Sequence, residues 1–219
     1  MLVGVIPAAG YGTRLGPRAG SKEVIRVHGR PVMDHLVERM RTAGIDELRV
    51  VTRPAKEDVV AHAGALGARV VLGHPGDVAA SLLLGIGGLV DDDEVLVGFP
   101  DCLWGPPDGY VPVLAALRGG AAVALGLFAT PDLRRSDVVV CDADGSVRRI
   151  AVKPDHPPGD RIWGIAAARA ETLRGLREGT EPGSTFDALA ARGAVVGVPL
   201  SDEWLDIGTP EALARVGAR

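Results

Sequence analysis

The first hundred residues alternate between short apolar runs and segments whose apolar residues recur at helical spacing. Four runs have the continuous apolar character of buried strands, namely residues 2–7, 47–52, 68–73 and 94–101. Three intervening segments have helical patterns, namely 31–44, 54–67 and 77–89. The order β-α-β-α-β-α-β predicts an α/β fold with a parallel sheet and right-handed crossovers.

The pattern after Asp101 is more mixed. We expect a helix over 106–119, a strand over 121–130, a hairpin over 137–152 that turns near "DADG", and a strand over 161–169. A helix at "TFDALAARG", a strand at "AVVGVPL" and a last helix at "TPEALARVG" follow. The Pro-rich stretch 153–160 is predicted to be a surface loop beside a site. With 219 residues and no internal repeat, the chain is predicted to form a single domain over 1–219.

Composition excludes several classes of function. The formal net charge is −4, so a basic nucleic-acid surface is not expected. The apolar stretches are far shorter than a membrane span, the start shows no basic leader, and two cysteines make no disulfide framework. We therefore expect a cytoplasmic protein, monomeric or a small homo-oligomer, without a membrane or nucleic-acid partner.

The loop after the first strand, "AAGYGTRLG", favours phosphate binding. Ligands of parallel α/β sheets sit at the carboxyl ends of strands, and this loop lies at such an end. Four of its residues are small enough to bring backbone N–H groups near a polyanion: Ala8, Ala9, Gly10 and Gly12. Arg14 adds a fork that grips phosphate oxygens in two places, and Lys22 adds a second cation.

Two other phosphate-binding loops are disfavoured. A P-loop ends in Gly-Lys-Ser/Thr, which is missing here. The dinucleotide fingerprint G-x-G-x-x-G needs a third glycine where this chain has Leu15, which argues against a nicotinamide-dependent dehydrogenase.

Four stretches together resemble the sugar-1-phosphate nucleotidylyltransferases. Residues 4–40, "GVIPAAGYGTRLGPRAGSKEVIRVHGRPVMDHLVERM", are similar to that family's opening signature. "FPDCLW", "AVKPDHPPGDRIWGIAAAR" and "EWLDIGTPEAL" resemble its later motifs, so the likeness spans essentially the whole chain. It implies a Rossmann-like mixed, mostly parallel sheet flanked by helices, of the nucleotide-diphospho-sugar transferase type, in a short member that has the catalytic domain alone.

The resemblance also implies an activity and a set of site residues. A nucleoside triphosphate and a sugar 1-phosphate would give an NDP-sugar and pyrophosphate. Arg14 would hold the leaving phosphates, and Lys22 would neutralise the α-phosphate and the approaching sugar phosphate. Mg²⁺ would be bound by Asp101 and Asp206, since this ion takes one or two carboxylates and fills its shell with phosphate and water. The nucleotide would contact Ala8, Ala9, Gly10, Gly12, Thr13, Gly76 and Asp77, and the sugar phosphate would contact Lys153 and Gly164.

The distribution of lysine agrees with these roles. The chain has three lysines among its 24 cationic residues. Lys22 and Lys153 fall where the family motifs have lysine, and Lys56 falls on a helix that we expect to be solvated.

The chain departs from the family pattern at three positions. Ser21 replaces the proline that usually precedes the motif lysine, and Glu23 replaces the proline or glutamine after it. Val152 replaces a glutamate that would hydrogen-bond a sugar hydroxyl. Two alternatives therefore stay open: a cytidylyltransferase for a non-sugar alcohol phosphate, and a non-catalytic nucleotide-binding regulator. "GTRLG" and "LDIGTPE" favour the sugar branch.

Overall fold

The computed structural model describes residues 1–15 and 20–216. Within those ranges the strands are β1 Leu2–Pro7, β2 Arg26–Val27, β3 Arg30–Pro31, β4 Glu47–Thr52, β5 Arg69–Leu72, β6 Glu94–Gly98, β7 Cys102–Trp104, β8 Val123–Ala129, β9 Val138–Cys141, β10 Val147–Ala151, β11 Arg161–Arg169, β12 Val195–Ser201 and β13 Trp204–Asp206. The α-helices are α1 Val32–Thr42, α2 Glu57–Ala65, α3 Val78–Gly85, α4 Tyr110–Arg118, α5 Ala170–Arg174, α6 Pro182–Ala190 and α7 Pro210–Arg215. Short 3₁₀ turns cover Thr13–Leu15, Lys22–Val24 and Leu133–Arg135.

The strands form one nine-stranded mixed sheet and two small two-stranded sheets. The large sheet runs β10-β9-β11-β6-β1-β4-β5, with β8 beside β11 and β12 beside β8. Parallel pairing of β1 with β4 and β6, and of β4 with β5, confirms the parallel sheet predicted for the first hundred residues. β11 pairs antiparallel with β6, β8 and β9, which makes the sheet mixed and confirms the predicted α/β class.

Helices cover both faces of the large sheet because its central strands are apolar on both sides. Along β1, Leu2 and Ile6 pack into one core cluster while Val3 and Val5 pack into the other, as the two-residue period of a strand requires. Side chains of α1, α2 and α4 complete the first cluster, and those of α3, α5 and α6 complete the second. Among the described helices, none is long and apolar enough to cross a membrane.

A small antiparallel ladder, absent from our sequence expectations, returns the end of the chain to the end of β6. β13 pairs with β7 so that Asp206 lies opposite Cys102, next to Asp101. The helix expected over 54–67 also differs, because Lys56 N donates to Arg53 O in a turn and α2 begins at Glu57. Both differences determine where site residues lie.

Candidate active site

Two adjoining cavities open where the parallel strands β1, β4 and β6 end. The smaller, about 190 Å³, is lined by Ala9, Gly10, Gly76 and Asp77 among others. The larger, about 270 Å³, is lined by residues that include Lys153, Trp163, Glu181, Trp204 and Asp206. Four residues line both cavities, namely Lys22, Val78, Phe99 and Asp101. Ala9, Gly10, Gly76 and Asp77, expected to contact the nucleotide, thus line one chamber, and Lys153, expected to contact the sugar phosphate, lines the other, while Ala8, Gly12, Thr13 and Gly164 line neither.

The shared wall carries an ion pair. Lys22 Nζ lies 2.5 Å from Asp101 Oδ2, and the two side chains are 16% and 9% exposed. Burial, the largest single influence, lowers the pKa of Lys22, but the carboxylates of Asp101, Glu23 and Asp206 together raise it above its ordinary value. Lys22 is therefore a fixed cation at neutral pH.

The two predicted metal-binding aspartates lie at neighbouring positions. The β7–β13 ladder places Asp206 beside Asp101, and Ile207 N donates to Asp101 O at 2.9 Å. One oxygen of Asp206 accepts from Gly208 N at 2.6 Å, which fixes the carboxylate where β13 ends. The described residues contain no group of three or more His, Cys, Asp or Glu side chains able to hold a metal ion. A metal ion at these two aspartates would need further ligands from a substrate or water, and the metal site stays a prediction.

The carbonyl groups of the glycine-rich loop are engaged by two basic side chains. Lys56 Nζ donates to Ala8 O at 2.8 Å and to Gly10 O at 3.1 Å, and Arg53 Nε donates to Ala9 O at 2.8 Å. The backbone N–H groups of Ala9 and Gly10 donate to no other described residue. A loop with its carbonyls engaged and its amides available is suited to binding an anion.

The rest of this loop is only partly described. Gly12 has a φ of +66°, a left-handed conformation that glycine adopts without strain, and Thr13 opens the 3₁₀ turn that follows it. The side chain of Arg14, which we expected to hold the leaving phosphates, lies outside the described part of the chain.

The environment of Lys56 differs from the one that we predicted. We predicted a solvated lysine, but its side chain is 13% exposed and its Nζ lies 2.7 Å from Oε2 of the buried Glu23. The reason is that the turn at 53–56 precedes α2 and directs Lys56 under the glycine-rich loop.

Gly76 and Asp77 lie on the nucleotide side, and the Asp77 side chain has a structural contact. One of its oxygens accepts from Ala80 N at 2.7 Å and caps α3, and the other accepts from Gly179 N at 2.6 Å. The Asp77 side chain thereby holds the start of α3 against the loop before α6, and Val78 at the start of α3 lines both cavities.

The larger cavity contains cations, carboxylates and aromatic rings. Lys153 pairs with Glu181 and has a φ of +41°, a conformation that a residue other than glycine seldom adopts. Trp163 Nε1 donates to Asp137 Oδ2 at 3.2 Å. Burial raises the pKa of Asp137, and the nearby Glu181 adds to the effect. This chamber suits an acceptor that carries both a phosphate and hydrogen-bonding groups.

Gly164 lies behind this cavity. A Cβ at Gly164 would lie 2.1 Å from Trp204 Cζ3, so the missing side chain is what lets the Trp204 ring pack on β11. The register between β11 and β8 also shifts between Trp163 and Ile165. Direct contact between Gly164 and a sugar phosphate stays a prediction.

Comparisons with known proteins identify the family. The model of the MobA-like NTP transferase domain matches residues 4–178. This chain belongs to that family. The resemblance to sugar-1-phosphate nucleotidylyltransferases is thereby confirmed.

Individual proteins are also similar to this chain, and some of them match it over nearly its whole length. The bifunctional protein GlmU of Azorhizobium caulinodans is 31% identical over 79% of this chain and 39% of its own length. A mannose-1-phosphate guanylyltransferase of Mycobacterium tuberculosis is 29% identical over 98% of this chain and 63% of its own. The chain thus spans less than two thirds of either relative. A Bacillus anthracis structure provisionally assigned as a glucose-1-phosphate thymidylyltransferase matches 99% of this chain and 94% of its own at a TM-score of 0.87 and 21% identity, which shows the shared fold.

Several side chains at the two cavities of this MobA-like domain were not singled out from sequence. Asp137 and Glu181 line the larger cavity, and Arg53 lines the smaller. Trp204 packs against Gly164 and also lines the larger cavity. The scarcity of lysine could have identified Lys56, but Asp137 opens an ordinary apolar strand and gives no comparable signal.

Proposed function

We propose that the protein is a Mg²⁺-dependent nucleotidylyltransferase that joins a nucleoside triphosphate to a sugar 1-phosphate and releases pyrophosphate. The observation that supports this most is the shared wall: Lys22 and Asp101 stand between a cavity suited to a nucleotide and a cavity suited to a phosphorylated acceptor. A reaction at that wall requires two anions to meet, and a cation fixed there reduces their repulsion.

On the nucleotide side, the free amides of Ala9 and Gly10 would bind the phosphates, with Gly12 and Thr13 continuing the cradle. The base and ribose would lie against Gly76 and Asp77. Arg14, the middle residue of the 3₁₀ turn Thr13–Leu15, would hold the departing pyrophosphate.

On the acceptor side, Lys153 would bind the phosphate of the sugar. An oxygen of that phosphate attacks the α-phosphorus, the bond from the α-phosphorus to the bridging oxygen breaks, and pyrophosphate leaves with the electron pair. Lys22 faces both chambers and would neutralise the α-phosphate and the incoming phosphate together. Catalysis then consists mainly of positioning and charge stabilisation.

The carboxylates of Asp101 and Asp206 fit Mg²⁺ as a pair. The ion is bound in proteins through one or two carboxylates, with substrate phosphates and water as the other ligands. Two neighbouring aspartates beside a triphosphate cavity make that donor set. When bound, the ion supplies positive charge at the reacting phosphates. The base and the sugar are not part of the proposal, since the relatives are named for both guanylyl and thymidylyl transfer.

The test is a matrix of five nucleoside triphosphates against a panel of sugar 1-phosphates and alcohol phosphates, with pyrophosphate as the readout. We expect pyrophosphate that requires both substrates and divalent metal. Tight nucleotide binding by calorimetry, with no pyrophosphate from any pair, would replace this proposal with the nucleotide-binding regulator. Turnover with alcohol phosphates and not with sugar phosphates would replace the acceptor class.

A further inference from the structure

The first turn of α2 contacts both segments that shape the shared wall and the glycine-rich loop. Lys56, immediately before α2, bonds to the carbonyls of Ala8 and Gly10. Asp58, in the first turn of α2, accepts from Ser21 N at 2.6 Å and from Ser21 Oγ at 2.8 Å. One short stretch of chain therefore reaches the loop on one side and the segment before Lys22 on the other.

The same stretch also holds the residue after Lys22. Glu23 is 1% exposed, and its carboxylate lies 2.7 Å from Lys56 Nζ. Burial, the largest influence, raises the pKa of Glu23, while the charge of Lys56 lowers it, so Lys56 offsets part of the cost of burying this carboxylate. Lys22 is thus flanked by two residues, and each is held by α2.

These contacts account for two departures of the chain from its family pattern. Ser21 and Glu23 stand where the pattern has proline and proline or glutamine. Ser21 offers a backbone N–H and a hydroxyl that proline lacks, and Asp58 accepts from both. Glu23 offers a charge, and Lys56 pairs with it. Each unusual residue has a specific partner on the first turn of α2.

We propose that Lys56 and Asp58 form a latch, the α2 latch, that positions the glycine-rich loop and Lys22 for binding of the triphosphate. This inference rests on the proposed function. Lys56 and Asp58 are positioning residues, because they act on the backbone of residues 8–10 and on the neighbours of Lys22. Holding the carbonyls of Ala8 and Gly10 fixes the peptide planes that carry the N–H groups of Ala9 and Tyr11, and Arg53 holds the plane between them through Ala9 O, so the amides are aligned before the anion arrives.

The test separates positioning from simple stabilisation with three variants. Lys56→Met removes the donor and leaves Glu23 buried without its cation, so it lowers both nucleotide affinity and thermal stability. Lys56→Met with Glu23→Leu removes both charges, and replacing a buried ion pair by apolar residues is often neutral for stability. Asp58→Ala releases Ser21 and the N–H of Val59 and leaves the contacts of Lys56 in place. Arg118→Met, which breaks an exposed pair with Glu94 at the other end of the sheet, is the matched control.

We expect the double variant to recover the melting temperature and not the nucleotide affinity. The Kd of the nucleoside triphosphate measured by calorimetry, and its KM, should rise about 10- to 100-fold in both Lys56 variants, because two charge-assisted hydrogen bonds to the loop are lost. The KM of the acceptor should rise less, because the latch reaches the larger cavity only through Lys22. The order parameters of the backbone amides of Ala9 and Tyr11, measured by NMR relaxation without substrate, should fall in both variants and not in Arg118→Met.

The outcomes distinguish this inference from the proposed function. A wild-type protein that releases no pyrophosphate would end the proposed function, while the order parameters and the Kd of the triphosphate would still decide on the latch. Recovery of stability, nucleotide affinity and loop order parameters together in the double variant would overturn the latch, since the pair would then serve stability alone. Unchanged order parameters of the Ala9 and Tyr11 amides in Lys56→Met would overturn it as well.

Discussion

Replacing Asp101 by Asn tests the shared wall most directly. The substitution keeps the shape of the side chain and removes the charge that faces Lys22 at 2.5 Å. Breaking a fully buried ion pair costs about 3–5 kcal/mol. Here the side chains keep 16% and 9% exposure, and Lys22 keeps Glu23 and Asp206 nearby, so we expect a smaller loss of about 2 kcal/mol. For a chain of this size that corresponds to a fall in melting temperature of about 4–8 °C.

The effect on activity should be much larger than the effect on stability. Asp101 is a proposed ligand of Mg²⁺ and also orients Lys22, so one substitution removes a metal ligand and loosens a cation. Removing a single charge-stabilising group from a preorganised site costs about 10²–10³-fold in kcat, and we expect at least that. The assays are thermal unfolding by circular dichroism and pyrophosphate release at saturating substrates. Asp142→Asn, which breaks an exposed pair with Arg148, is the control.

A double-mutant cycle then tests whether Lys22 and Asp101 act together. If Lys22→Met and Asp101→Asn remove the same interaction, their effects on unfolding free energy and on kcat are smaller combined than summed. Strict additivity in both measurements would refute a shared ion pair. An Asp101→Asn protein with near-normal turnover would refute the metal assignment, whatever its stability.

Three further substitutions have outcomes that the structure fixes. Gly164→Ala should destabilise the fold by about 1–3 kcal/mol and reduce turnover, because the added Cβ would displace Trp204 and with it β13, the strand that contains Asp206. An unchanged melting temperature would contradict this. Gly64→Ala, at an open site in α2, should instead stabilise by about 0.5–1 kcal/mol in the same melting assay. Asp137→Asn should raise the KM of the acceptor and stabilise the fold at pH 7. Because the folded-state pKa of Asp137 is raised above 3.8, the ionised carboxylate lowers the free energy of unfolding of the wild-type protein at pH 7. This destabilisation fades as the pH falls toward 3.8, so a stabilisation of Asp137→Asn that does not depend on pH would contradict the reasoning.

The fold was predictable from sequence where local pattern decides structure. Continuous apolar runs separated by amphipathic segments require a parallel sheet with helices on both faces, and the pairing of β1 with β4 and β6 agrees. The β7–β13 ladder was not predictable in this way. Its strands have three residues each and lie about a hundred residues apart, so neither carries a periodic signal.

The site was predictable at positions where residue type alone indicates chemistry. Lys22, Asp101, Lys153 and Asp206 were named from motifs, and they line the larger cavity together. The residues that support them were not predicted, because a buried contact such as Lys56 with Ala8 O depends on where a helix begins. The three-residue difference between Pro54 and Glu57 moves Lys56 from a solvated face to the underside of the loop.

These contacts separate the residues proposed to bind substrate from the residues that hold the glycine-rich loop. Asp101, Lys153 and Asp206 lie at or just after the ends of strands, whereas Arg53 and Lys56, which hold the loop, lie in the turn before α2. Lys56 and Arg53 together engage the carbonyls of three consecutive residues, Ala8 to Gly10. An anion-binding loop needs its amides free, and holding the carbonyl of the same peptide plane fixes the direction of such an amide. The lysine that matches no motif is therefore proposed to have a role as specific as the roles proposed for the other two, and the α2 latch would link the chemistry of the loop to the packing of α2.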